Sequence, residues 1–333
     1  MNKLFNVALV GCGTIAPNHL DAISQNNMLK VVALCDLKTD KAEKMNERFN
    51  LGAKIYNDYF EMLNNEQIDS IHICTPHYLH APMAIAALEK NINVFLEKPM
   101  CISNEEIAKL LEAEKLSKAK ICVCFQNRFN PSTVLAKRIC DADGGAIGAF
   151  GSVFWERTKE YYTLSGWRGS METEGGGVMI NQAIHTIDLL CYFLGIPKKI
   201  CATKANHHLK GVIDVEDSCE GLITFESGKT GNFYATTSFH GYDTTTVFIA
   251  TKNHKIEIRS PYLYVDGQIV EDTNQTYSYV GKECYGNGHK YLIGEFYNAL
   301  RDNKEVPVTL ESAQYALRIL LAAYNSYDNE INV

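Results

Sequence analysis

The chain has 333 residues, too many for one ordinary domain and suited to two of roughly 150 each. Acidic residues outnumber basic ones, 39 to 32, and the net charge of −7 argues against nucleic acid or an anionic membrane as the main partner. With 46% hydrophobic and 21% charged residues the composition is globular, no apolar run reaches the roughly 18 residues of a membrane span, and the start lacks a signal peptide's cleavage site, so a cytoplasmic protein is expected.

From the N-terminus, residues 6–10, 30–35, 70–74, 93–96 and 120–124 read as buried strands. Stretches near 15–26, 39–50, 78–90 and 103–118 read as amphipathic helices between them. Thr39 or Asp40 can cap the second helix, and Ser103 with Glu106 makes an S-x-x-E capping box. Such alternation implies βαβ units and an α/β, doubly wound parallel sheet of the Rossmann type over residues 1–125.

The first strand runs into Gly11-Cys12-Gly13-Thr14-Ile15-Ala16, a G-x-G-x-x-A. Gly11 permits the tight turn, Gly13 lets the backbone approach a pyrophosphate, and Ala16 allows close helix–strand contact. Thr14 and Ile15 lead into a helix N-terminus whose N–H groups face the anion. Asp36, at the end of the next strand, can accept the adenosine ribose hydroxyls and repel a 2′-phosphate, so NAD is expected over NADP. Lys38 tempers that preference, since it could accommodate a phosphate.

Further strands end in Cys74-Thr75-Pro76-His77 and in Glu97-Lys98-Pro99, at the carboxyl edge where open α/β sheets bind ligands. Thr75, Pro76, His80 and Glu97 are expected at the cofactor edge, with Lys98 pointing into the nicotinamide crevice; a salt bridge to Glu97 is the alternative for the lysine. His77-x-x-His80 has ligand-like spacing, yet no cysteine or acidic cluster accompanies it in sequence, and no metal is expected. The 11 cysteines are odd in number, scattered and without a C-x-x-C pair, so they read as buried thiols.

Residues 126–333 form a second, α+β domain with a large, mostly antiparallel sheet. A helix near 132–142 precedes a β-rich stretch at 147–158, and alternating patterns with turn signals fill 198–280. Two helices, near 289–302 and 311–327, close the chain. Between these lies Gly175-Gly176-Gly177, opening an apolar helix that runs to Leu194 and stops at Gly195-Ile-Pro197. Asn181, His185 and Asp188, spaced i, i+4, i+7, share one face of that helix.

The G-x-G-x-x-A, the E-K-P and the glycine-led helix with H-x-x-D resemble, in that order and across nearly the whole chain, the glucose–fructose oxidoreductase/inositol dehydrogenase/rhizopine-catabolism (Gfo/Idh/MocA) family. The resemblance implies an NAD(P)-dependent dehydrogenase acting on sugar or cyclitol hydroxyls, with Lys98 and His185 catalytic. The family's usual aspartate falls on Asn181, which takes no proton, so an Asp–His relay is in doubt and His185 with Lys98 must carry proton transfer. Gln126-Asn127-Arg128, Trp167-Arg168 and Asn181-Gln182 resemble a subset acting on amino-sugar or nucleotide-linked uronic-acid substrates.

Gln126, Asn127, Arg128, Trp167, Arg168, Asn181, Asp188 and His289 are therefore expected at a sugar-like substrate, with core packing the alternative for Trp167. Tyr161-Tyr162 read as lid or interface residues. An NAD-dependent glycosidase using transient oxidation, a non-catalytic sugar or nucleotide sensor, and a dihydrodiol or imine reductase stay open beside the dehydrogenase. A homodimer or homotetramer is expected by analogy.

Overall fold

Short apolar strands between amphipathic helices have no face to show to water, and the first sheet is accordingly parallel and covered on both sides. The computed structural model describes residues 4–270, 286–326 and 330–333. Its first sheet holds β1 (Phe5–Val10), β2 (Leu29–Cys35), β3 (Lys54–Tyr56), β4 (Ser70–Ile73), β5 (Asn93–Glu97) and β6 (Ile121–Cys124), in the order β3-β2-β1-β4-β5-β6. The order reverses between β1 and β4, which opens a crevice at their carboxyl ends. Helices α1 (Ala16–Ser24), α2 (Thr39–Arg48), α3 (Tyr59–Asn65), α4 (His80–Glu89) and α5 (Asn104–Leu116) make the crossovers.

The five expected strands are all present. The edge strand β3 and the helix α3 go unannounced in the sequence, because β3 is three residues long with no fully buried side chain. At α5 the Ser103 hydroxyl accepts the Glu106 N–H at 3.2 Å, while the Glu106 carboxylate reaches back to the N–H of Ile102.

The second sheet comprises β7 (Gly148–Glu156), β8 (Pro197–Ala205), β9 (Ser218–Phe225), β10 (Thr230–Thr236), β11 (Ser238–Ala250), β12 (Lys255–Arg259), β13 (Tyr262–Val265), β14 (Gln268–Ile269) and β15 (Ile331–Asn332). Their order is β14-β13-β12-β11-β7-β10-β9-β8-β15, antiparallel throughout except where β7 meets β10. Of the expected strand region, residues 271–280 lie outside the described residues, as does position 327 of the last expected helix.

The helices of this half are α6 (Pro131–Ala142), α7 (Lys159–Thr163), α8 (Ile184–Leu194), α9 (Gly288–Arg301) and α10 (Leu310–Ala323). Helix α8 lies on the sheet face that carries Gly151, where a Cβ would come within 2.3 Å of Thr186 Cγ2. The opposite face bears Phe150 stacked on Phe248 and Phe154 against Phe239. The last helices turn back to the first sheet: α9 packs on α1, and the N–H of Val123 bonds the carbonyl of Val308. Among the described residues no helix is long and apolar enough to cross a membrane.

Candidate active site

The glycine turn after β1 is built for close approach. Gly11 has φ +90°, and a Cβ there would lie 2.6 Å from the Cys74 carbonyl group, so only glycine lets β1 and β4 come together. A Cβ at Gly13 would meet nothing within 4 Å, leaving room above the turn for a pyrophosphate. Ala16, fully buried, opens α1 immediately after Thr14 and Ile15. Asp36 is half-buried; one carboxylate oxygen takes the Cys12 N–H at 2.8 Å, the other the Lys38 N–H at 2.9 Å. Each oxygen keeps a lone pair for a ribose hydroxyl. These residues fit a dinucleotide.

Across the crevice stand Thr75 and Pro76, after β4, and Lys98, after β5. His80 is buried with both ring nitrogens on carbonyls, Pro99 O at 2.6 Å and Thr75 O at 2.8 Å, so its work is to tie these two loops together. Lys98 is half-buried, and its ammonium donates to the Asn181 carbonyl at 2.9 Å. Burial pulls the lysine's pKa down, against the opposing pull of Glu97 and Cys124.

Behind the lysine runs a buried polar chain that no local sequence pattern announces. Glu97 Oε1 accepts from His19 Nε2 at 3.0 Å and lies 3.6 Å from His289 Nε2, while Oε2 takes the Lys98 N–H. His19 Nδ1 meets His72 Nδ1 at 2.8 Å, His72 Nε2 meets Tyr297 Oη at 2.9 Å, and that hydroxyl meets Ser70 Oγ at 2.7 Å. With neutral imidazoles one order of donors satisfies every link: Ser70 to Tyr297, Tyr297 to His72, His72 to His19, His19 to the carboxylate. Burial opposes charge on Glu97, yet the His19 and His289 contacts hold its carboxyl well below the usual range. His19, Glu97, Cys124 and His289 also offer donor atoms within 4.8 Å of one another, a set brought together from four separate elements. The hydrogen bonds to the carboxylate already engage it.

The other wall begins at the three glycines. A Cβ on Gly177 would come within 2.0 Å of the Glu216 carbonyl, and one on Gly176 within 1.9 Å of the Tyr324 hydroxyl. The Glu216 carboxylate accepts from the N–H groups of Gly177 and Met179 and from Tyr324, capping the start of the helix. Residues Met179–Ala183 form a π turn before α8, and Asn181 lies in it rather than on regular helix. His185, at the first turn of α8, is half-buried, and its Nδ1 has no hydrogen-bond partner among the described residues. Burial, with Lys98 adding to it, holds the imidazole neutral by lowering its pKa well below the usual value.

A loop closes this wall over the crevice. The Trp167 indole packs edge-on against His77 at 4.8 Å, and the Arg168 guanidinium lies over both Trp167 and Tyr161, at 4.5 and 4.7 Å. Arg168 Nε has no hydrogen-bond partner among the described residues. His77 Nδ1 meets the Glu174 carbonyl at 2.8 Å, docking the loop on the end of β4. Glu174 is missing from the residues expected in the sequence. It is 1% exposed, accepts the Gly169 N–H at 2.6 Å and receives the Asn181 side-chain amide. Burial raises its pKa to about 7 against those hydrogen bonds and Arg168. Only a hydrophilic residue just before a glycine run hinted at it.

Several expected substrate contacts have other work. Arg128 and Asp188 face each other in a two-pronged pair, Nε–Oδ2 2.8 Å and Nη2–Oδ1 2.5 Å, with the carboxylate fully buried. Of the three residues expected on one helix face, Asn181 lies in the π turn and Asp188 is engaged by Arg128, while His185 Nδ1 has no hydrogen-bond partner among the described residues. Gln126 is buried, with Cys124 on its side-chain oxygen. Asn127 lines a cleft with Thr133, Thr186, Thr245 and Ser260 against the second sheet. His289 is buried on Glu97. Tyr161 lies between the Arg157 and Arg168 guanidiniums, inside the wall.

Residues 5–125 match the family described as the oxidoreductase family with NAD-binding Rossmann fold, and residues 135–255 match the GFO/IDH/MocA C-terminal domain. Inositol 2-dehydrogenase of Salmonella typhimurium is 32% identical over 142 residues, 42% of this chain and 42% of that protein, so the match spans less than half of that relative. D-glucoside 3-dehydrogenase of Escherichia coli is 28% identical over 251 residues, 70% of each chain. Among solved structures, the WlbA dehydrogenase from Chromobacterium violaceum, in complex with NADH and UDP-GlcNAcA, aligns at a TM-score of 0.85 and 25% identity, covering 100% of this chain and 96% of that one.

Proposed function

The chain belongs to the GFO/IDH/MocA oxidoreductases, and from that premise we propose that it oxidises or reduces one hydroxyl-bearing carbon of a sugar, sugar acid, cyclitol or nucleotide sugar. NAD, held by Gly11, Gly13, the start of α1 and Asp36, supplies the hydride acceptor or donor when bound. The observation that carries the reading is the junction of the two walls: the Lys98 ammonium reaches the Asn181 carbonyl, one turn before a neutral His185 with an unpartnered nitrogen. Lys98 is placed to hold the substrate oxygen and steady charge developing on it. His185 is placed to take the hydroxyl proton during oxidation and return it during reduction.

The unpartnered Nε of Arg168, set among aromatic faces, favours a sugar that carries a carboxylate or phosphate. The WlbA relative, with its nucleotide-linked sugar acid, agrees with that class. The uncovered face of the second sheet, with Leu222, Phe239 and Phe248 each more than 40% exposed, supports a homodimer through that face. Sedimentation that finds only monomer would remove that part of the reading.

The test of the activity is a cofactor-fluorescence screen of neutral sugars, sugar acids, cyclitols and nucleotide sugars with NAD and with NADP. Turnover is expected with NAD and strongest among the anionic sugars. In Lys98→Met and His185→Ala, kcat is expected to fall about 100-fold or more while NADH binding persists. Near-normal kcat in both variants overturns the assignment.

A further inference from the structure

Glu174 is a buried carboxyl that, unlike Glu216 at the helix start and Asp188 on Arg128, bridges two separate segments of the wall. Its two oxygens divide between the Gly169 N–H, inside the loop that carries Trp167 and Arg168, and the side-chain amide of Asn181. Its own carbonyl faces His77 at the end of β4. Asn181 in turn gives its backbone carbonyl to Lys98. One glutamate therefore joins the aromatic loop, the π turn and, through Asn181, the lysine.

We propose, resting on the dehydrogenase reading above, that Glu174 is a positioning residue whose carboxylate fixes the Asn181 turn and, through it, the place and charge of the Lys98 ammonium. Asn181 has no proton to exchange, so of the two hydrogen-bonded side chains the carboxyl is the one that can gain or lose one. A neutral acid still receives the amide but no longer favours a cation nearby. Buried, with Arg168 and Lys98 drawing it one way and Glu216 the other, the group changes charge close to neutral pH, at about 7. Tyr162 packs beside it, Tyr161 meets the Asn181 amide at 3.5 Å, and His77 sits on its carbonyl with a pKa lowered well below the usual value by burial.

Glu174→Gln separates charge from shape. A glutamine oxygen can still accept from Gly169, and its amide can donate to a flipped Asn181. In wild type, kcat for the best substrate of the screen is expected to fall about tenfold as pH drops below about 7 and then to level off. In Glu174→Gln that limb disappears and the plateau kcat is about tenfold lower, with KM little changed, whereas Glu174→Asp keeps the limb. A second readout needs no substrate: the pH dependence of Lys98 acetylation by acetic anhydride, followed by mass spectrometry. Glu174→Gln is expected to make the lysine several-fold more reactive at neutral pH, because its amine is no longer held as ammonium. Unchanged Lys98 reactivity, or a glutamine variant with the wild-type limb, overturns the proposal. A change in reactivity without any sugar turnover upholds it and overturns the dehydrogenase reading instead.

Discussion

Glu97 and Glu174 stand on opposite walls of one crevice, 5% and 1% exposed, and their environments drive them in opposite directions. Glu97 receives imidazole and backbone donors and is held ionised, well below the usual range. Glu174 receives two neutral amide donors and rises to about 7. Burial opposes ionisation in both, so the difference lies in what the partners bring. At Glu97 the histidine contacts outweigh desolvation, whereas at Glu174 the two amide hydrogen bonds offset only part of it. One wall thus carries a carboxylate held ionised behind the lysine, and the other a carboxyl raised to about 7.

The contrast can be sharpened first at a third buried carboxylate. Asp188 is raised by burial and, among the described residues, is hydrogen-bonded by Arg128 alone, so removing that partner should show the full cost of an unpaired buried charge. Arg128→Met is expected to destabilise the fold by about 3–5 kcal/mol, measured by denaturant unfolding. A loss under about 1 kcal/mol would mean that the pair is dispensable and the comparison misplaced.

Next comes the pH dependence of stability at Glu174. Its carboxyl is raised from about 4.5 to about 7, so the native state binds the proton more tightly than the unfolded chain. Stability from this group is fully present below about pH 4.5 and declines as pH rises to about 7. Replacing it by glutamine should flatten that decline, worth about 3 kcal/mol between the two limits. Parallel curves for wild type and Glu174→Gln in urea unfolding from acid to neutral pH would break the contrast.

The smallest effect is expected at the other wall. His19→Leu takes one donor from Glu97 and leaves His72 Nδ1 facing an apolar side chain. A loss of about 1–3 kcal/mol is expected at neutral pH. Because Glu97 is depressed in the fold, its contribution is present above the usual carboxylate range and lost as pH falls through the folded value, so the gap to wild type should close in acid. A gap that stays constant from neutral to acid pH would show that the imidazole packs and does no more.

The N-terminal sheet was legible because its signals are local. Apolar runs, the turn residues between them and the G-x-G-x-x-A each dictate a conformation within a few residues, and Gly11, Ala16 and Asp36 lie where the pattern put them. The edge strand β3 escaped because an exposed three-residue edge has no apolar run to show. In the second half the helix after the glycines was legible, but not its π turn, which depends on Glu216 and Tyr324 arriving from distant segments.

The sequence by itself determined the fold class and the dinucleotide turn, since each is written in neighbours along the chain. Tertiary structure alone decided which polar groups are spent on one another: Arg128 on Asp188, His289 on Glu97, Asn181 on Glu174. A buried carboxylate takes whatever donor the packing brings within about 3 Å, and that neighbour lies dozens of residues away for Arg128 and Asp188 and for His289 and Glu97. No spacing rule along the chain can carry that choice, because it is made when the two sheets and the returning helix close on one another.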